Sequence, residues 1–120
     1  MQSLVAANLT ATLERIVQAA SADPGAAEGC RRLLQPLERE SAERGNDLAA
    51  TLRNYYACGL RVDKTAEQMF LHRNSVRYRL DRIRSLLRLD IDQPDVISAF
   101  SIAFAVRDKP AGQGNEQHAV

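Results

Sequence analysis

The chain has 120 residues, 45% hydrophobic and 26% charged, and a formal net charge of only +1. That is ordinary globular composition, enough for one modest core of close-packed helices. It excludes a membrane-spanning helix, which needs about 20 consecutive apolar residues, and a disulfide-rich scaffold, since Cys30 and Cys58 stand alone.

The two cysteines read as free thiols in a reducing cytoplasm, with a disulfide or a shared metal as the alternative. Met1-Gln2-Ser3 lacks the basic start of a secretory signal, so a cytoplasmic protein is expected. There is no Gly-rich phosphate loop, no HExxH, no GxSxG and no His pair at ligand spacing. No catalytic residue, metal site, cofactor or small-molecule site is therefore expected.

Residues 3–21 predict a first amphipathic helix. Ser3 can cap it, and Leu9, Leu13, Ile16, Val17 and Ala20 share one side. Asp23-Pro24-Gly25 ends it. With no basic side to offer a phosphate, its stripe either covers the chain's own core or meets a partner, and residues 1–25 are set apart as a packing or dimerisation helix.

A second helix is expected from Ala26 through Cys30, Leu33, Leu34 and Leu37. Pro36 lacks an N–H and clashes one turn back, so a break is expected near Gln35, with a short helix from Pro36 to about Glu43. Glu38, Arg39, Glu40, Glu43 and Arg44 read as its solvated face. Gly45-Asn46 punctuates, and Asn46 is placed to cap a third helix lined by Leu48, Ala49, Leu52, Tyr55 and Tyr56. Gly59 closes that helix as a C′ residue. Tyr55 is assigned to packing rather than to nucleic acid.

The next stretch holds two short helices joined by a tight turn. Asp63 is placed to cap the first, whose stripe is Ala66, Met69 and Phe70. Val76, Leu80, Ile83 and Leu87 follow at spacings of four, three and four, within about 60° of arc on a helical wheel. Only Leu71-His72 separates the stripes, so the helices must turn sharply and pack together. That is a helix-turn-helix plan, in which one helix braces and the next enters a major groove.

Charge is concentrated here. Residues 61–88 hold eight Lys or Arg against three acids, whereas 1–60 hold six against seven and 89–120 two against five. A focused basic block inside faintly acidic flanks is the footprint of a polyanion partner. Arg73, Asn74, Arg77 and Tyr78 occupy the exposed first two turns of the second helix, about 73–87. Arg can fork onto guanine and Asn onto adenine. The Ser75 and Tyr78 hydroxyls suit phosphate or sugar, and Arg79 and Arg82, flanking the apolar stripe, would reach the backbone on either side. His72 falls at the N-cap, where it either caps the helix or meets phosphate. Lys64 and Arg61 either clamp phosphate or stand in solvent. A solvated helix usually mixes signs for i, i+4 pairing, but here Arg73, Arg77, Arg82 and Arg84 meet only Asp81.

Asp92 is placed to cap a last helix opened by Gln93-Pro94-Asp95. Val96, Ile97, Phe100, Ile102, Ala103, Phe104 and Val106 make it apolar nearly all round, which predicts a second buried side at a subunit contact. Residues 109–120 read as a disordered tail.

His72-Arg73-Asn74-Ser75-Val76-Arg77-Tyr78-Arg79-Leu80 resembles the signature of the PucR/CdaR-type transcriptional regulators, with Ser75 where Thr is usual. Thr51-Leu52-Arg53-Asn54-Tyr55 before it and Leu89-Asp90-Ile91-Asp92-Gln93-Pro94 after it resemble the family's flanking motifs. The similarity spans about residues 33–107, and residues 1–32 match nothing in the family. The resemblance implies a C-terminal domain behind sensory or GGDEF-like regions, a helix-turn-helix like that of Fis, and a homodimer on paired half-sites. The expected fold is therefore all-α, a bundle of about five to seven helices, with the family domain over 26–108. Its expected partner is double-stranded DNA at an operator, read by sequence. An RNA-binding or architectural domain, and a helical interaction or dimerisation module without specific readout, stand as alternatives.

Overall fold

The computed structural model describes residues 2–109, with side chains from Leu4 onward. Six helices follow one another: α1 Gln2–Ala22, α2 Pro24–Arg44, α3 Leu48–Ala57, α4 Val62–Met69, α5 Arg73–Leu87 and α6 Pro94–Asp108. Among the described residues there is no strand. The fold is all-α, as the periodicity predicts. Residues 110–120, most of the expected tail, lie outside the described residues.

Local chemistry sets the boundaries, though not always through the residues expected. Asp23 caps α2, its Oδ2 accepting the Ala26 N–H at 2.8 Å, so the helix starts at Pro24 rather than Ala26. Asp47, not Asn46, caps α3 by accepting the Ala50 N–H at 3.0 Å. The Asn46 side-chain oxygen is buried without a partner. α4 opens two residues earlier than expected, with Arg61 at the cap position. Asp63 therefore lies inside the first turn and pairs with Arg61 at 2.9 Å. Left-handed Gly45 and Gly59, at φ 74° and 68°, end α2 and α3, which only a residue lacking Cβ does without strain.

Pro36 does not break α2, which runs unbroken through it. Proline inside a helix costs about 3 kcal/mol. Leu34 and Leu37 are both fully buried here, and each such side chain contributes about 1.5–3 kcal/mol. Pro36 itself stays exposed, so the core contacts on the opposite side offset the local cost.

The core lies between α2, α3, α5 and α6 and is filled by Leu34, Leu37, Leu48, Leu52, Leu80, Ile83, Ile91 and Phe100. The connection from α5 to α6 is tied to α3 from both sides. Tyr55 donates to Asp92 Oδ1 at 2.9 Å, and Tyr56 donates to the Ile91 carbonyl at 2.8 Å. Asp92 is thereby used by Tyr55. The α6 N-cap is Gln93, which makes no side-chain cap bond. The apolar residues of α6 meet α1, α2 and α3 of the same chain. Arg107 also bonds Glu38 at 3.3 Å and lies 5.3 Å from the Phe104 ring centre.

Candidate nucleic-acid interface

α4 and α5 meet through a turn of three residues. Phe70 takes a left-handed conformation at φ 56°, and the Leu71 N–H reaches back to the Ala66 carbonyl at 2.9 Å. This is the hydrogen-bond pattern that reverses a chain at a helix end. His72 then caps α5: its Nδ1 accepts the Asn74 N–H at 3.0 Å. With Nδ1 engaged as acceptor, Nε2 carries the proton in the neutral ring and is left to donate outward. Capping and an outward hydrogen bond are thus compatible.

The orientation of α5 follows from its stripe. Val76, Leu80 and Ile83 are each 1% exposed or less, wedged against α2, α3 and α4. Arg73, Asn74, Ser75, Arg77 and Tyr78 consequently stand in solvent, Tyr78 at 61% exposure. Among the described residues no carboxylate pairs with Arg73, Arg77 or Lys64, and the one polar neighbour of Arg77 is Asn74 Oδ1 at 3.4 Å. Asp81 lies further along the same side, where Arg84 holds it at 3.1 Å. Lys64 is exposed on α4.

Two expected backbone contacts sit elsewhere. Arg79 is half-buried and points at Thr51 Oγ1, 3.4 Å away on α3. Arg82 forks onto Glu40 of α2. Both lie on the flank of α5 that α2 and α3 cover, because residues 79 and 82 neighbour the buried stripe on one side. Arg82, expected to reach outward, instead ties α5 to α2 through this pair. Glu40, read as solvated, is its buried counterpart at 5% exposure.

One surface residue was placed wrongly by periodicity. Phe70 falls on the apolar stripe of α4 by spacing, but the left-handed turn ejects it to 94% exposure, while Thr65 and Ala66 are the buried residues of that helix. A helix that stops at Met69 cannot carry Phe70 inward, and the αL signal in a non-glycine residue is not legible from composition. A bare phenylalanine beside His72 and Arg73 adds an apolar edge to a cationic surface.

Helix, sharp turn, clamped second helix and a solvent-facing basic side define the class as a helix-turn-helix unit. Residues 48–106 belong to the family of PucR C-terminal helix-turn-helix domains. Among curated proteins, an uncharacterized protein of Mycobacterium tuberculosis and one of Mycobacterium bovis are each 41% identical over 56 residues, 47% of this chain and 14% of the relative. An uncharacterized protein in the pkwA 5' region of Thermomonospora curvata is 41% identical over 70 residues, 54% of this chain and 36% of that protein. The aligned segment is therefore a small part of each relative's own length. No solved structure matches.

Proposed function

We propose that this chain binds double-stranded DNA by sequence, as the DNA-binding part of a transcriptional regulator working in the cytoplasm, with α5 entering the major groove. The observation carrying this is the state of the first two turns of α5. Arg73, Asn74, Arg77 and Tyr78 are exposed without carboxylate partners on a helix whose opposite side is locked in the core. Buried anchoring fixes the register, so the free side chains reach base edges at low ordering cost.

In this reading Arg73 and Arg77 fork onto guanine O6 and N7, and Asn74 pairs with adenine. Ser75, Tyr78, Lys64 and the outward Nε2 of His72 hold phosphates. Phe70 sets its ring against a thymine methyl or sugar at the edge of the groove. Arg79 and Arg82 act from behind, positioning α5. Homodimeric binding to two half-sites belongs to the same reading.

Selection of bound duplexes from a random library, followed by titration at two salt concentrations, tests it. One enriched sequence bound far above bulk DNA, with affinity falling steeply with salt, is the expected result. Equal affinity for all duplexes would favour an architectural role. No binding would leave a helical interaction module.

A further inference from the structure

α1 is the one described helix whose apolar stripe is not accounted for by its own chain. It is 21 residues, about 30 Å long, yet only its last turns pack on the domain, where Val17, Ala20 and Ser21 are half-buried against α2 and α6. Leu4, Val5, Leu9, Leu13 and Ile16 are 46–72% exposed. Val5, Leu9, Leu13 and Ile16 share one side of the helix, within about 80° of arc, while Leu4 points away from it; with Ala6 at its edge that side exposes on the order of 500 Å², at the upper end of the patches found on monomers.

We infer that this side of α1 is where two copies of the chain associate, each α1 lying along the other; the inference deepens the DNA reading by naming the surface that pairs two readers. Four observations select a second copy as the occupant. Ala6, Leu9, Leu13, Ile16 and Ala20 are spaced three, four, three and four, the seam of a two-helix coiled coil. The helix carries a single acid, Glu14, and a single base, Arg15. It therefore offers no charge pattern for a charged partner and nothing that repels its own copy. Two such patches together bury about 1,000 Å², the lower limit of a specific interface. And α1 packs on α2 and α6 without touching α4 or α5, so pairing leaves both basic sides free.

An antiparallel arrangement fits the sequence. It sets Leu9 against the partner's Leu13 and Ala6 against the partner's Ile16, large facing small. It also places the two domain bodies, attached from Val17 onward, at opposite ends instead of in collision.

Sedimentation equilibrium of the full chain without DNA tests the inference. Wild type is expected at twice 13.3 kDa in the micromolar range. Leu9→Glu with Leu13→Glu should weaken association at least about a hundredfold, since two charges cannot be buried unpaired. Ala7→Glu, on the far side of α1, should leave the dimer intact. Because the altered residues lie outside the core, the double variant should still unfold in one cooperative transition, at a midpoint lowered only by the lost association, so a loss of mass is not a loss of fold. Wild type at 13.3 kDa up to several hundred micromolar, or a double variant that stays dimeric, overturns the inference. Either result leaves duplex binding through α5 standing and bears only on its homodimeric form, and a chain that ignores DNA can still dimerise.

Discussion

Arg82 on α5 closes a two-point ion pair onto Glu40 on α2, Nε to Oε2 at 2.5 Å and Nη2 to Oε1 at 2.9 Å. Forty-two residues separate the partners in the chain. Such a fork fixes rotation as well as distance, so α5 is held on its axis at the point where its outer side meets solvent. Arg44, 3.9 Å from the same carboxylate, adds a weaker second charge.

The pair makes stability depend on acid. The Arg82 hydrogen bonds hold the Glu40 carboxyl below its ordinary 4.5, against the opposing effect of burial. A lowered folded value means that the contribution is complete above about 4.5 and drains as pH falls through that folded value. Thermal melts across pH 2–7 should show Glu40→Gln less stable than wild type at neutral pH, with the gap closing in acid. A gap independent of pH would mean that the ion pair is not the cause.

Arg82→Ala should lower the unfolding midpoint by several degrees. Well below that midpoint it should leave DNA affinity and its salt dependence nearly unchanged. A loss of affinity in fully folded protein would return Arg82 to the phosphate-binding set.

Arg73→Ala and Arg77→Ala are expected to leave the melt unchanged, because both side chains are exposed. Each should cost about 1–3 kcal/mol in binding to the selected duplex and relax preference at one base pair. Lys64→Ala should instead weaken all duplexes alike and reduce the slope of log affinity against log salt by about one. Parallel titrations of selected and scrambled duplexes separate the two patterns.

Phe70→Gly is predicted to uncouple stability from binding. Glycine accepts the left-handed φ of 56° that costs phenylalanine about 1 kcal/mol, and almost no apolar contact is lost at 94% exposure. The melt should therefore rise or hold while affinity for the selected duplex falls. Unchanged affinity would remove Phe70 from the interface.

Leu80→Ala, at a fully buried position, should destabilise by about 2–5 kcal/mol. Val76→Asp should abolish folding of the motif, since an unpaired buried carboxylate costs far more than a lost methyl contact. A folded Val76→Asp protein, by circular dichroism, would contradict the register assigned to α5.

The sequence by itself determined the helical class, the tight turn before His72 and which side of α5 is basic. These follow from 3.6-residue periodicity and short-range capping, which act within a turn or two. The tertiary structure alone decided what competes with those local rules. It kept α2 whole through Pro36 because buried leucines outweighed the lost bond, and gave Asp92 to Tyr55 instead of the α6 cap. It turned Phe70 outward, covered α6 with the chain's own helices, and took Arg82 from solvent to Glu40. Each of these outcomes depends on a partner tens of residues away or on a balance of a few kcal/mol, and neither is written in the spacing of neighbouring residues.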